Sequence, residues 1–433
     1  MDAEGYKQFL RKNKRAESGL HRYINCVKEF ERFLKDVKKN ADFLHTESSD
    51  FEAYVNWKGN QSKSTMNVQL RSIALYFDFI LKRPFGASTR IFQTQQQKRA
   101  REISKKITKL FKISKVKIKE VIEWLLEEEN PSIRYRTMRE LQDIPESDPE
   151  LESTRKLIPS YLPVKNILDA MHPDGYWEFI HPKNKKSYGK DVEYYKDTTH
   201  FILGYLAELG MTREEPKIEK AADRYLSLQQ PDGDFYKHFS CLYGFNIRTF
   251  VLLGYKDDSR LKKTIELMKN SVRDDNGYLC DTHEGKRKKR PVKSCVRGSA
   301  KVLYAIGELP ELWNESFSKN IVEYFLNRKI LYKTTDPETY VRSDAGGTIF
   351  PFTWRFGLID VLLPLAKMGY GNDKKMEAAW DVLAYHRNEE GKYKLDGNIK
   401  SKYWDVGKRG SENKWITFYA YLCLKYKKKA QKL

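Results

Sequence analysis

A chain of 433 residues has room for two or three domains, and its 40% hydrophobic content is sufficient for large buried cores. No apolar run approaches the roughly 18 residues that cross a bilayer, so no transmembrane segment is expected. The formal net charge is +21, with 80 Lys and Arg against 59 Asp and Glu. That excess predicts a polyanionic partner such as DNA or another nucleic acid, or an anionic membrane surface; the alternative is that the Lys-rich composition only reflects the host genome.

Cysteine usage indicates the redox environment. The chain has five cysteines, an odd and low number that argues for reduced thiols rather than a disulfide scaffold. The first residues, Met1 to Lys7, contain no apolar signal core. Both observations predict a cytoplasmic protein.

The first 84 residues predict a small bundle of four helices. The second helix is expected over about 18–37, where apolar residues fall at helical spacing. The third is expected over 48–57 and the fourth over about 64–81. This region is the first predicted domain, residues 1–84.

The order and pattern of these helices resemble the core-binding, SAM-like domain of tyrosine recombinases. The resemblance rests on the segments YINCVKEFERFLKDV, SDFEAYVNW and SKSTMNVQLRSIALYFDFIL. It implies DNA contacts through Arg22, Lys58, Lys63 and Arg71. The recombinase set of Arg, His-x-x-Arg and a nucleophilic Tyr is missing downstream, so strand exchange is not expected. A plain helical docking domain is the alternative.

A second region, residues 85–150, begins with a strongly basic stretch. Between residues 90 and 120, Lys and Arg outnumber acidic residues eleven to two, while apolar residues keep a helical stripe. Such a helix suits nucleic-acid phosphates, an acidic membrane surface or a solvated linker, and we favour nucleic acid. The basic residues expected to make these contacts are Arg90, Lys98, Arg99, Arg101 and Lys105. A HEAT-like helix pair is expected over 116–143, with Pro131 opening its second helix.

The third region, residues 151–433, is periodic. A Gly-aromatic turn recurs as Pro-Asp-Gly-x-Phe at 231–235 and in variants at 172–177, 274–278 and 388–393. Each turn is expected to end a charged helix and to lead into a helix rich in small and aromatic residues. Five such pairs are predicted, and the pair at 116–143 makes a sixth or caps the array. The fold class is therefore all-α: a small N-terminal helical bundle followed by an α-α toroid of five to six helix pairs.

The repeated turns are similar to those of the prenyltransferase and terpenoid cyclase superfamily. The resemblance covers about 155–427 and implies the toroid fold without implying a reaction. The Asp-x-Asp-Asp acid of class II cyclases is missing, and so is the Asp-rich magnesium motif of class I synthases. Neither cyclase chemistry is therefore expected.

Four residues near the predicted rim of the toroid form a candidate zinc set. Cys241 and Cys295 open small-residue helices in adjacent repeats, and Cys280 and His283 lie in the loop between them. Three Cys and one His are a common structural zinc set, which leaves no open position for a substrate. The alternative is buried thiols and a loop histidine, because a free cysteine is usually a small buried hydrophobe.

Aromatic residues near the same rim are candidates for lining a cavity: His200, Trp354, Trp404 and Trp415. The first functional hypothesis is a nucleic-acid-associated binding protein whose basic N-terminal helices contact DNA and whose toroid is a ligand-binding or interaction platform. The alternative is a toroid enzyme that acts on an isoprenoid or another apolar substrate. A carbohydrate-active α/α barrel is a third hypothesis, which needs paired carboxylates among Glu208, Glu308 and Asp360. Whether the protein is an enzyme stays open at this stage.

Overall fold

Helices make up nearly all the regular structure, as the sequence predicts. The computed structural model describes residues 1–13, 15–38, 43, 46, 48–59, 63–82, 115–193, 195–281, 292–352, 355–398 and 400–430. The chain divides into two units, Met1–Leu110 and Phe111–Leu433. Among the described residues, none of the helices combines the length and the hydropathy needed to cross a membrane. The predicted basic contacts at Arg90, Lys98, Arg99, Arg101 and Lys105 lie outside the described residues.

The described residues of the N-terminal unit form a bundle of four helices. They are α1 (Ala3–Lys12), α2 (Glu17–Asp36), α3 (Ser48–Trp57) and α4 (Lys63–Ile80), which confirms the predicted helices. Aromatic side chains fill the core because Tyr6, Phe30 and Tyr54 are completely buried. The Tyr6 hydroxyl donates to the Ser72 carbonyl at 2.8 Å, so its polar end is satisfied inside the bundle.

The second unit consists of outer and inner helices that alternate along the chain. The outer helices are α5 (Lys115–Leu125), α7 (Pro149–Leu157) with α8 (Leu162–Asp169), α10 (Pro216–Leu226), α12 (Ser259–Asn270), α14 (Ser316–Leu326) and α16 (Glu377–Tyr385). The inner helices are α6 (Pro131–Arg136), α9 (Thr199–Glu208), α11 (Ser240–Leu252), α13 (Val296–Ile306), α15 (Ile359–Lys367) and α17 (Lys414–Lys429). The described elements also include two antiparallel hairpins: β1 (Phe179–Ile180) with β2 (Ser187–Tyr188), and β3 (Tyr332–Lys333) with β4 (Asp336–Tyr340).

The inner helices form a closed ring. Helix α9 packs on α11, α11 on α13, α13 on α15, α15 on α17, and α17 on α6. Arg136 at the end of α6 bonds Glu208 at the end of α9, and this contact closes the circle. The pair α5–α6 therefore supplies the sixth pair of the toroid. Pro131 opens α6 as predicted, and Asn130 caps it by accepting from the Ile133 amide at 3.1 Å.

Gly-aromatic turns form the corners between outer and inner helices. Gly175, Gly233 and Gly391 have φ of 81°, 94° and 90°, a left-handed conformation that glycine adopts without strain. The aromatic residue after each turn is buried, and Trp177 and Tyr393 donate their amides to a threonine of the next inner helix at 3.1 and 2.9 Å. The predicted structural role of the repeat is confirmed at these corners.

The third corner uses a different residue from the one that the sequence indicates. Asn276 has φ of 63° and occupies the left-handed position, whereas Gly277 does not. A β-carbon on Gly277 would lie 2.5 Å from both Ser294 and Tyr324, so this glycine is required by close packing. Asn tolerates the left-handed conformation better than most residues, which explains the shift by one position.

Candidate functional site

Six charged side chains meet at the centre of the toroid. We call them the axial ion-pair ring: Arg136, Glu140, Glu208, Arg248, Glu308 and Lys367. Arg136 Nε lies 2.5 Å from Glu140 Oε1, and its Nη1 lies 3.1 Å from Glu208 Oε2. Arg248 contacts the other carboxylate oxygen of Glu208, so two guanidinium groups share one carboxylate.

The remaining contacts extend the ring around the axis. Arg248 Nε lies 3.6 Å from Glu308 Oε1, and Lys367 Nζ lies 2.7 Å from Glu308 Oε2. Positive and negative groups therefore alternate along a row that runs from Glu140 to Lys367. Burial alone would raise the pKa of Glu308, but Lys367 and Arg248 outweigh it and lower that pKa. The carboxylate therefore stays ionised inside the protein.

Local helix geometry positions the first members of the ring. Residues Thr137–Leu141 form a π-helical turn directly after α6, a feature that often marks functional positions. Arg136 and Glu140 lie on either side of the start of this turn, and Arg136 also donates to the Tyr419 hydroxyl at 2.6 Å. Burial would raise the pKa of Glu140, but Arg136 outweighs it and lowers that pKa.

A second buried ion pair lies beside the ring. Lys301 Nζ is 2.7 Å from Asp360 Oδ1, and both side chains are 2% exposed. The other oxygen of Asp360 accepts from the Gly357 amide at 2.7 Å. Burial raises the pKa of Asp360 in spite of the opposing effect of Lys301. This carboxyl group is therefore easier to protonate than an exposed aspartate.

The space left at the axis is very small. A cavity of about 10 Å³ is lined by Gly204, Glu208, Gly244, Phe245, Arg248, Thr249, Lys301, Tyr304 and Phe352. That volume holds a single water, so the described axis has no chamber for a substrate. The three acids expected for a carbohydrate-active barrel do approach the axis, but each one is bonded to a cation.

The residues predicted to line a cavity pack against other aromatic side chains. Trp404 lies 5.4 Å from Trp415, and each is 3% exposed. Phe350 stacks on Trp415 at 5.1 Å. His200 is buried and lies 4.7 Å from the Phe245 ring, and burial lowers its pKa to about 3. None of these three predicted residues borders the axial cavity among the described residues, and Trp354 lies outside them.

The structure brings the three predicted cysteine ligands together. The Cys241 thiol interacts with the thiols of both Cys280 and Cys295, and Ser240 Oγ lies 3.4 Å from Cys280 Sγ. Hydrogen bonds from the Cys241 thiol and then Ser240 lower the pKa of Cys280 to about 6, although burial opposes them. Within the described residues, no group of three or more His, Cys, Asp or Glu is arranged to hold a metal ion. His283 lies outside the described residues, so the zinc set stays a prediction.

Basic residues of the N-terminal unit line an open cleft of about 640 Å³. Its walls are formed by His21, Arg22, Asn25, Cys26, Lys28, Glu29, Arg32 and Gln69. Of the other predicted DNA contacts, Arg71 is exposed on α4, and Lys58 is bonded to Glu29. Lys63 begins α4, and its side chain lies outside the described part of the structure.

Sequence reasoning did not predict the axial ion-pair ring. Arg136, Arg248 and Lys367 were not among the candidate site residues, although each lies in or directly beside an apolar inner helix. A lone charge in such a helix is the signal that could have found them, because an unpaired buried charge is very unfavourable. Its partner in the neighbouring repeat cannot be read from the pattern.

Comparison with known proteins adds little. No protein-family model matches the chain, and no curated protein matches it. Among solved structures, a type II terpene cyclase, MstE from Scytonema, in complex with geranylgeranyl dihydroxybenzoate is similar with a TM-score of 0.27 and 12% identity, over 65% of this chain and 100% of that one. The apo form of MstE is similar with the same TM-score and 12% identity, over 64% and 99% of the two chains. At these values the likeness carries no argument about function, and the recombinase resemblance finds no support in these comparisons.

Proposed function

We propose that this protein binds nucleic acid through the basic cleft of its N-terminal unit and uses the toroid as an interaction platform. The observation that carries this proposal is a row of exposed cations on α2. Arg22, Lys28 and Arg32 are exposed and line the same cleft. Lys28 and Arg32 lie one turn apart on α2, and Arg22 reaches the same cleft from an earlier turn, so all three can contact one phosphate backbone.

The acidic residue in the cleft does not cancel this charge. Glu29 contacts Lys58, and its Oε2 lies 3.4 Å from both the Tyr54 hydroxyl and Gln69 Nε2. Lys58 is thus neutralised by Glu29, and the three exposed cations remain available to an anion. Asn25 and His21 add polar groups that can contact phosphate or sugar oxygens.

The closed axis supports the role of a platform for the toroid. The cavity at the axis, of about 10 Å³, is too small for a substrate, and the charged groups beside it are engaged in ion pairs. The formal charge of +21 for the whole chain is in keeping with a polyanionic partner.

The test is the salt dependence of duplex DNA binding by the full chain, measured by fluorescence anisotropy. Three phosphate contacts predict a slope of about −2.7 in log K against log salt, or roughly a forty-fold loss between 50 and 200 mM. The variant R22Q/K28Q/R32Q is expected to lose most of that slope. The matched control K263Q/K319Q/K374Q removes the same charge from exposed lysines of the toroid. Absence of binding at 50 mM salt, or equal effects of the two variants, would refute the proposal.

A second candidate, an enzyme acting on an isoprenoid, is favoured by one feature of the axis. Burial raises the pKa of Asp360, and its partner Lys301 borders the axial cavity together with Tyr304 and Phe352. A protonated carboxyl group can deliver a proton to an alkene, and aromatic faces stabilise nearby positive charge. Phe352 would have to leave the axis to admit such a substrate. Geranylgeranyl dihydroxybenzoate, named with the cyclase above, is a suitable probe: this candidate requires a cyclised product that is lost in Asp360→Asn.

A further inference from the structure

The hairpin β1–β2 on the toroid combines stacked aromatic rings with lysines. We call this surface the hairpin patch: Phe179, Ile180, Lys183, Lys185, Lys186, Tyr188, Lys190, Tyr195 and Lys196. Phe179 pairs with Tyr188 across the two strands, and Ile180 pairs with Ser187. Ile180 is 56% exposed, so the patch presents an apolar side chain to solvent as well as its rings.

Three rings of the patch form a continuous stack. Tyr188 and Tyr195 lie 4.8 Å apart with an interplanar angle of 11°, and Phe179 lies 4.8 Å from Tyr195 at 37°. All three rings are half-buried, so part of each ring reaches solvent. A flat stack of this kind offers a surface on which another planar ring can lie.

Lysines lie over the rings of the stack. Lys186 Nζ is 4.9 Å from the centre of the Tyr188 ring, and Lys196 Nζ is 5.3 Å from the centre of the Phe179 ring. Lys186 is exposed and lies over the ring in a weak cation-π contact, so a ligand ring can displace it. The released ammonium group then remains close enough to reach an anionic part of the same ligand.

Carboxylates in the patch are engaged within the hairpin. Glu178 accepts from the Ser187 hydroxyl, and Glu193 accepts from the Gly189 amide. Asp191 is also exposed, but the exposed lysines on the two sides of the hairpin turn outnumber it. The outward-facing charge of the patch is therefore positive.

We propose that the hairpin patch binds single-stranded nucleic acid by stacking a base on Tyr188, at the end of the ring stack, while the surrounding lysines contact phosphates. This combination of ring faces and cations is the way in which proteins hold unpaired strands without sequence preference. A duplex hides the faces of its bases, and an acidic peptide or an anionic lipid headgroup offers no planar ring to the stack. The proposal is independent of the N-terminal cleft, which is expected to bind duplex backbone.

The experiment measures binding of a labelled oligothymidylate of about 20 nucleotides, several times a minimal site, to the full chain carrying R22Q/K28Q/R32Q. That background removes the cleft contribution. Tyr188→Ala is expected to weaken binding by about 5- to 150-fold for the loss of one stacked base, whereas Tyr188→Phe keeps the ring and is expected to bind normally. Tyr385→Ala, which removes a ring that is 69% exposed elsewhere on the toroid, is the matched control.

Three outcomes would overturn the proposal. The first is no binding of the oligonucleotide at low salt by a chain whose circular dichroism shows it folded. The second is equal affinity of the Tyr188→Ala and Tyr385→Ala variants. The third is equally strong competition by polyglutamate or by vesicles rich in phosphatidylserine, which would show that the patch senses charge alone. In the chain with its native cleft, Tyr188→Ala is expected to leave duplex binding unchanged. Failure of the hairpin-patch proposal is therefore distinguishable from failure of the proposal that the cleft binds duplex DNA.

Discussion

Replacing Glu208 by Gln tests whether the axial ion-pair ring stabilises the toroid. The substitution keeps the shape of the side chain and removes its charge. Glu208 is 3% exposed and accepts from Arg136 at 3.1 Å, from Arg248 and from the Tyr419 hydroxyl. The variant leaves two buried guanidinium groups without their shared carboxylate and turns an amide donor toward one of them. Removing one partner of a buried ion pair costs about 3–5 kcal/mol, and we expect a loss of that size.

Thermal unfolding followed by tryptophan fluorescence measures this loss. Seven of the eight tryptophans lie beyond residue 111, so the signal reports mainly on the toroid. The expected fall in melting temperature is roughly 6–20 °C, from about 2–4 °C per kcal/mol for a large domain. The control is Glu152→Gln, which removes an exposed charge paired with Lys156 at 2.7 Å and is expected to leave the melting temperature unchanged.

A double variant checks the reasoning further. If the two charges are coupled, Glu208→Gln combined with Arg248→Gln destabilises the protein by less than the sum of the single changes, because the second change removes one uncompensated cation. Additive losses, or a Glu208→Gln variant that melts like the Glu152→Gln control, would show that the ring contributes no stability through its charges.

Three other predictions concern separate parts of the toroid. Because the folded state keeps His200 neutral with a pKa of about 3, acidification below pH 6.5 protonates only the unfolded state. The free energy of unfolding of the native protein should therefore fall by about 1.4 kcal/mol per pH unit relative to that of His200→Gln. Urea denaturation from pH 7 to 5 measures both, and an equal pH dependence of the two proteins would contradict this prediction. Gly244→Ala places a β-carbon 2.7 Å from the backbone of Lys301, so we expect the free energy of unfolding to fall by about 1–3 kcal/mol. The control is Gly19→Ala, whose β-carbon has its nearest neighbour at 3.9 Å and which should be neutral or stabilising in the same denaturation assay. For the predicted zinc set, metal analysis should find one zinc ion per chain that is lost in Cys280→Ser; a metal-free protein with freely titratable thiols would remove that prediction.

The repeat pattern was sufficient to predict most of the fold. Apolar spacing located α2, α3 and α4, and the Gly-aromatic turns located the corners of the toroid. These features depend on neighbours within a few residues, which a single sequence displays directly. The third corner was placed one residue away because Gly277 and Asn276 both suit a turn. Only the packing of Ser294 against Gly277 distinguishes them.

The contacts across the axis could not be predicted in the same way. Arg136 and Glu208 are 72 residues apart, and Glu208 and Tyr419 are 211 residues apart. Their meeting depends on how many helix pairs close the ring and on the register of each inner helix, neither of which the local pattern specifies. Cys241 and Cys295 were easier to place together because both lie at the start of inner helices in adjacent repeats.

Alternation of charge along the row of ion pairs restricts how the toroid can gain or lose helix pairs. Five contacts join the six members, and the sign of the charge changes at every step. Loss of a helix pair that contributes one member, such as α10 and α11 with Arg248, would place Glu208 and Glu308 side by side in the buried centre. The same holds for duplication of a pair that carries a single charge. Repeat number, which most repeat proteins vary freely, is therefore fixed here by electrostatics as well as by geometry.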